Sequence, residues 1–196
     1  ETSPELDFRA KLAMGVNLVD TPYMVFAPED DFVMPGGFED AVAFLEAHRD
    51  YGVCRGYDLM YLAEAQKVHY FLRDRRVQSD FGSDAPAQRV RDFMSNYLPP
   101  WYAVARTALM RDWYACMPHD TGVEFQEFGQ AFYLLARAKA RILDRAYTIR
   151  ELNYPVSDHG TDLLAAMEWI GGADGERKAA FFAFMQQTLV AAGIDA

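Results

Sequence analysis

The feature that most constrains this 196-residue chain is a short apolar run, Pro22-Tyr23-Met24-Val25-Phe26-Ala27, which stops abruptly at Pro28-Glu29-Asp30-Asp31. The run does not alternate apolar with polar residues, the pattern of a strand covered on both faces. Such a strand needs helices on either side of its sheet, so the run predicts an α/β fold rather than a pure helical bundle. It also places three carboxylates just past the carboxyl end of a strand, where open α/β sheets bind their ligands.

The rest of the chain supports alternation of strands and helices. Residues 6–18 read as a helix. Past Pro35-Gly36-Gly37, the positions Phe38, Ala41, Val42 and Leu45 follow helical spacing, with Glu39 and Asp40 in the first turn. Residues 52–60 and 66–72 suit strands, and the Ser-, Asp- and Gly-rich stretch 78–85 suits a loop. Val90, Phe93, Met94 and Tyr97 mark a helix stopped by Pro99-Pro100, and residues 102–106 suit a strand. Phe125, Phe128, Phe132 and Leu135 mark a long helix, and 142–149 a strand before a polar loop at 150–160. Helices near 161–170 and 176–191 finish a single domain spanning residues 1–196, with no repeat or linker to divide it.

Composition narrows the function. Apolar residues make up 51% of the chain, enough for a packed core. The net charge of -10 argues against a general nucleic-acid binder, which needs a basic surface to displace counterions. Cys54 and Cys116 form neither a CxxC pair nor a disulfide framework, so a reducing cytoplasm is the expected setting. The acidic start, ETSPELDFRAK, lacks the pattern of a signal peptide, and no apolar run reaches the length of a membrane span.

Carboxylates are hard oxygen ligands suited to magnesium or manganese. A nucleotide diphosphate would be repelled by Glu29, Asp30 and Asp31 alone, and a divalent cation between them reverses the sign of the interaction. Asp31 is the favoured ligand, because alternate residues of a loop need not point the same way. The same triplet also suits an acidic loop capping the helix at 38–48.

The segment from Thr21 to Tyr61, TPYMVFAPEDDFVMPGGFEDAVAFLEAHRDYGVCRGYDLMY, resembles the core of a bacterial glycosyltransferase family of the GT-A type. That family shows a strand, an acidic DDDF-type motif matched by Glu29-Asp30-Asp31-Phe32, a helix ending in a pattern matched by Phe44-Leu45-Glu46 and Asp50-Tyr51, and a glycine-bearing strand matched at Gly56. Fainter likeness runs through Tyr102 to Thr107, Glu124 or Glu127, and Tyr147 to Glu151. One departure is Glu29, where the family has aspartate.

The resemblance implies a partial GT-A-like mixed sheet flanked by helices, with a helical C-terminus. It implies transfer of a sugar from a nucleotide-sugar donor to a saccharide or glycan acceptor, with Mn2+ or Mg2+ held by Glu29, Asp31 and His159. Glu127, with Glu124 as the alternative, stands where the general base of an inverting member is expected. Either glutamate also suits the positive end of a helix, and His159 a surface cap. Arg106 and Arg150 are candidates for gripping the diphosphate, and Trp101, Tyr102 and Trp113 for stacking on a sugar. His48, His69 and His119 have no partner pattern and read as structural.

The βαβ unit that binds base and ribose in such enzymes does not fit into the residues before Glu29, so the chain is expected to be a fragment of a longer domain. Two other functions remain open. Tyr154-Pro155-Val156-Ser157-Asp158-His159 resembles a turn of the TorD-like maturation chaperones, which would make the chain all-helical. The chain also suits a non-catalytic acceptor-binding module of a polysaccharide synthase.

Overall fold

The computed structural model describes residues 6–27, 29, 31–64, 67–72, 79–95, 100–117, 123–151 and 175–193. Its helices are α1 (Phe8–Leu18), α2 (Pro35–Ala47), α3 (Pro86–Ser95), α4 (Thr107–Cys116), α5 (Val123–Arg137) and α6 (Gly175–Ala191). Its strands are β1 (Tyr23–Met24), β2 (Phe32–Val33), β3 (Tyr51–Glu64), β4 (Lys67–Leu72), β5 (Asp80–Phe81), β6 (Val104–Arg106) and β7 (Lys139–Glu151). All seven strands join one mixed sheet, in the order β1-β6-β3-β7-β2. The fold is therefore α/β with flanking helices and a helical C-terminal end, and the all-helical chaperone expectation is overturned by the sheet.

Two long parallel strands, β3 and β7, form the spine. Each carries two short antiparallel partners along its outer edge. β6 pairs with Val53 and Cys54 of β3, and β4 takes over from Leu59 to Glu64. On the other side, β5 pairs with the start of β7 and β2 with Thr148 and Ile149 near its end. Between the two halves the β3–β7 register slips: Arg55 faces Ile142 but Tyr57 faces Ala146. The extra residues bulge from β7, and Gly56 makes room for them. A Cβ there would strike the Arg145 carbonyl and come within 2.9 Å of the Tyr147 side chain.

The sheet has a core on each face. Ala41 and Leu45 of α2 pack on Cys54, Val104 and Tyr147. On the opposite face Val53, Ala105, Ala140 and Ile142 meet Val16 of α1, Phe93 of α3, Trp113 of α4, Leu134 and Leu135 of α5, and Phe181 of α6. Local signals explain the helix ends. Asp7 caps α1, its carboxylate accepting from the Ala10 amide at 2.6 Å. The buried Arg89 guanidinium donates to the Leu135 and Ala136 carbonyls at 2.7 and 2.9 Å, satisfying the end of α5.

Several boundaries differ from expectation. α2 begins at Pro35, because proline is well placed in a first turn where its missing N–H is not needed. Its two glycines are therefore inside the helix; Gly37 is required there, since a Cβ would sit 2.7 Å from the Ala146 carbonyl oxygen. The run from Tyr23 does send Tyr23 and Val25 to one core and Met24 and Phe26 to the other. Yet it is half-buried, contributes two residues to the ladder, and lies at the sheet edge rather than inside it. α4 and β5 were not anticipated. The stretches 152–174 and 118–122, with the expected helix near 161–170, lie outside the described residues.

Candidate functional site

The edge position of β1 has a consequence for the acidic turn. β1 and β2 lie at opposite edges of the sheet, so residues 25–31 carry the chain across its full width, about 19 Å at the usual strand spacing. The turn thus leaves an edge strand and arrives at another, beside the carboxyl-terminal half of the parallel spine. Because Phe32 pairs with Ile149, the residue before it falls opposite Arg150. The Asp31 carboxylate, only 5% exposed, meets the Arg150 guanidinium there at 2.7 Å. Arg150 also lies over the Tyr102 ring, 5.3 Å from its centroid.

Next to this pair is a second, deeper one. Asp58 on β3 accepts from the Arg55 guanidinium and from the Thr148 hydroxyl of β7. Arg55 also donates through Nε to the Gly56 carbonyl at 3.1 Å and lies 5.7 Å from the centre of the Tyr147 ring. Arg55, Asp58 and Thr148 are all buried, so their charges and hydrogen bonds have to be satisfied within the protein. The register aligns Thr148 with Asp58 and Arg150 with Met60. Alternation along the strands then puts Asp58, Thr148 and Arg150 on a single face.

The other face of the same strand ends carries Tyr61 opposite Glu151. Partial desolvation, then the carboxylates of Glu151 and Asp31, raise the Tyr61 phenol above its usual value. Tyr61 hydrogen-bonds Glu151 and faces the exposed Tyr70 ring of β4 at 6.3 Å. Burial pushes the nearby Cys54 thiol up to about 12 and the Tyr147 phenol higher than usual, so neither is poised as a nucleophile or a base.

The structure thus brings together two of the expected site residues, Asp31 and Arg150, with Tyr102 beside them. Glu29 is exposed in the same turn. Arg106 is committed elsewhere: its nitrogens donate to the Tyr51 carbonyl at 2.8 Å, the Leu45 carbonyl at 2.8 Å and the Tyr23 hydroxyl at 3.1 Å. It fastens the end of α2 to β3 and β1, and its guanidinium is occupied by the protein rather than offered to a phosphate. Glu127 is half-buried on α5, whose neighbours are α3, α4, α6 and β7. His159, Asp30 and the side chain of Glu124 lie outside the described residues. Trp113 is fully buried in the core and cannot stack on a sugar. His48 stacks on Phe44 and bonds its carbonyl at 2.8 Å, a structural role.

Asp58, Tyr61 and Glu151 were missed from sequence. Asp58 had a signal: a lone acid in the strand-like run Gly56-Tyr57-Asp58-Leu59-Met60, where burial demands partners.

A divalent cation can be weighed against these donors. Among the described residues no three histidine, cysteine or acidic side chains gather into a metal shell. Glu29 and Asp31 do offer hard carboxylate oxygens from one turn. Magnesium is commonly held by one or two carboxylates, with water and substrate phosphates completing the shell. The donor set fits a cation that arrives with a diphosphate, and does not form a closed, permanent metal centre.

No family model matches the chain, and no curated protein does. Among solved structures, the crystal structure of S. aureus TarS 1–349, a glycosyltransferase, is similar. The identity is 15% and the TM-score 0.41; the match covers 92% of this chain and 49% of that one. The chain therefore spans about half the length of that structure. A likeness of this degree assigns neither activity nor substrate. Among the described residues no helix is long and apolar enough to cross a membrane.

Proposed function

We propose that the chain is part of a glycosyltransferase that moves a sugar from a nucleotide-sugar donor to a saccharide acceptor with the help of Mn2+ or Mg2+. The observation that carries this is the delivery of Asp31, by the β2–β7 pairing, to Arg150 at the carboxyl end of the parallel strands. That is where α/β sheets bind ligands. There a carboxylate able to hold a cation and a guanidinium able to hold a phosphate stand side by side.

In this proposal Glu29 and Asp31, with His159 as a further ligand, would hold a cation, which would supply charge neutralisation to the departing diphosphate. Arg150 grips a phosphate oxygen, its plane fixed by Tyr102. Glu127, or Glu124, takes the proton of the attacking acceptor hydroxyl if the reaction inverts, a contribution of about 10²- to 10⁴-fold.

The test is a thermal-shift panel of nucleoside diphosphates with Mn2+ or with EDTA. A donor-type ligand at 100 times its dissociation constant stabilises the chain by about 2.7 kcal/mol, and the melting point rises accordingly. No shift with any of the diphosphates under either condition would reject the proposal. Binding of saccharides without any nucleotide response would favour a non-catalytic acceptor-binding module instead.

A further inference from the structure

The face of the sheet away from Arg150 carries an exposed strip of aromatic and aliphatic side chains at its carboxyl end. Alternation along β7 puts Tyr147, Ile149 and Glu151 on this face. α2 lies against it with Phe38 on Tyr147, ring centres 4.7 Å apart, and Phe44 on Tyr51 at 5.1 Å. The helix thus starts over Tyr147 and runs back toward the amino end, so Ile149 and Glu151 lie beyond it. The register extends these two residues into rows across the strands. Ile149 has Phe32 on one side and Leu59 on the other, and Glu151 has Tyr61 beside it and Tyr70 beyond. Phe32 is 64% exposed, Tyr70 63%, and Val68, two residues along β4 from Tyr70, 50%. Sheet edges are usually blunted with charge, because such surface invites unwanted pairing. An apolar strip kept in water points to a ligand.

We infer that this strip is a glycan-docking platform, on which neutral sugar rings pack against Tyr61 and Tyr70 while their hydroxyls bond to Glu151. It lies across the sheet from the proposed donor site and does not depend on sugar transfer. Sugar chemistry fits both parts of the strip. One face of a pyranose is a patch of C–H groups that packs on an aromatic ring, and its rim of hydroxyls needs acceptors. The Tyr61 and Tyr70 rings are 6.3 Å apart and inclined by 42°, so neither covers the other and each keeps a face for a ligand. The Tyr61 hydroxyl donates to the Glu151 carboxylate. That bond holds the exposed carboxylate at the rim of the ring and leaves it lone pairs for sugar hydroxyls.

Size and charge decide against other occupants. The strip runs from β4 to β2 and along β4 from Val68 to Leu72. That makes it roughly 14 by 13 Å, on the order of 200 Å². A stable protein interface takes about 800 Å² from each partner. A second copy would also bring one net charge of -10 against another. An anionic partner, whether nucleic acid, acidic glycan or charged lipid surface, meets the Glu151 carboxylate. A short neutral oligosaccharide needs neither the larger area nor a counter-charge.

The experiment is calorimetric titration of neutral hexasaccharides (cellohexaose, maltohexaose and the N-acetylglucosamine hexamer) into the full chain in EDTA. Hexagalacturonate is the anionic control. At least one neutral hexasaccharide should bind, and hexagalacturonate should bind more weakly. Tyr70→Ala should weaken the neutral ligand about tenfold, and Tyr70→Phe, which keeps the ring, should stay within about twofold of wild type. Glu151→Ala removes the acceptor and should also cost about tenfold. Both side chains are exposed, so the melting points of these variants should match wild type. Sedimentation at the same concentrations reads self-association. No binding by any neutral hexasaccharide, equal or tighter binding of hexagalacturonate, or binding indifferent to Tyr70→Ala and Glu151→Ala overturns the platform. So does a wild-type dimer that Tyr70→Ala makes monomeric, which would assign the strip to a second copy. Because the titrations contain neither metal nor nucleotide, each of these failures leaves the transferase proposal standing. A chain that ignores nucleoside diphosphates yet binds the neutral hexasaccharide through Tyr70 supports the platform and rejects the transferase.

Discussion

The two ends of the parallel β3–β7 spine use the same chemistry to opposite purposes. At the amino end, Lys139 lies 2.7 Å from both Asp50 and Asp84, and Arg141 lies 3.0 Å from Asp80. Tyr51 donates its hydroxyl to Asp80 at 2.9 Å. Those contacts tie the α2–β3 turn and the β5 segment to the first residues of β7, so each basic group there closes a loop. At the carboxyl end, Arg150 faces Asp31 and lies over the half-exposed Tyr102 ring, and Arg55 pairs with Asp58 beside them. The amino end closes the structure with ion pairs that lie at its surface. The carboxyl end holds its pairs in the interior, with the Asp31 and Asp58 carboxylates 5% and 4% exposed. Where a sheet keeps buried charge that its own packing does not require, function is the better explanation.

That contrast predicts a gradient of mutational effects. The largest is expected at Asp58→Ala, which removes the carboxylate that pairs with the Arg55 guanidinium, a residue only 4% exposed. Breaking one half of a buried pair costs about 3–5 kcal/mol, and urea denaturation should show it as a much lower midpoint with an unchanged slope. The double change Arg55→Met with Asp58→Leu should recover much of the loss. If Asp58→Ala melts like wild type, the buried pair is not supporting the carboxyl end and the comparison fails.

Next comes Gly56→Ala, at the register slip between the two halves. Its methyl would meet the Arg145 carbonyl, a backbone group that cannot swing aside. Overpacking of this kind costs about 1–3 kcal/mol. The loss should extend to nucleotide binding, since the bulge sets how Thr148 and Arg150 align with Asp58 and Met60. A stability loss with intact binding would show that the two halves of the spine are independent.

How much of this was legible in sequence follows from what sets each feature. The spine, α2, α5 and α6 are written in local periodicity and were readable as such. α4 was equally legible, since Met110, Trp113, Tyr114 and Met117 sit at helical spacing and all are buried, although β6 runs into it without a turn between them. Strand order was not readable: that β1 and β2 occupy opposite edges depends on pairings with residues 104–106 and 148–149, far along the chain. For the same reason Arg106 and Arg150 looked alike in sequence. One proved to bind backbone carbonyls around Leu45 and Tyr51, and the other to face Asp31. Asp31 was identifiable from its turn, whereas its partner depends on a register that only the folded sheet reveals.

A smaller effect is expected at Asp31→Asn. The change removes an ion pair whose arginine remains partly hydrated, at 23% exposure. The net cost is about 1–2 kcal/mol, below that of a fully buried pair. Its stability cost should be far smaller than its effect on Mn2+ binding. A large drop in melting point with unaltered metal response would make Asp31 a structural residue and move the cation site away from β2.

The smallest effect belongs to Lys139→Met at the amino end. Asp84 is 95% exposed and Asp50 58%, so water already solvates most of what the lysine contacts. Its pH signature is nevertheless distinctive. The hydrogen bond to Asp50, then that to Asp84, raises Lys139, so its contribution is complete below the unfolded lysine value and fades as pH climbs through the folded one. The Lys139 hydrogen bond lowers Asp50, whose contribution is present above the unfolded carboxylate value and disappears as pH falls through the folded one. The difference in melting point between wild type and Lys139→Met should therefore be flat from about pH 5 to about pH 10 and shrink on both sides. It should also vanish in about 1 M salt, where screening reaches within about 3 Å. The Asp58→Ala loss, shielded from ions by burial, should survive the same salt. If both differences respond alike, the ends of the spine do not differ in the way their burial implies.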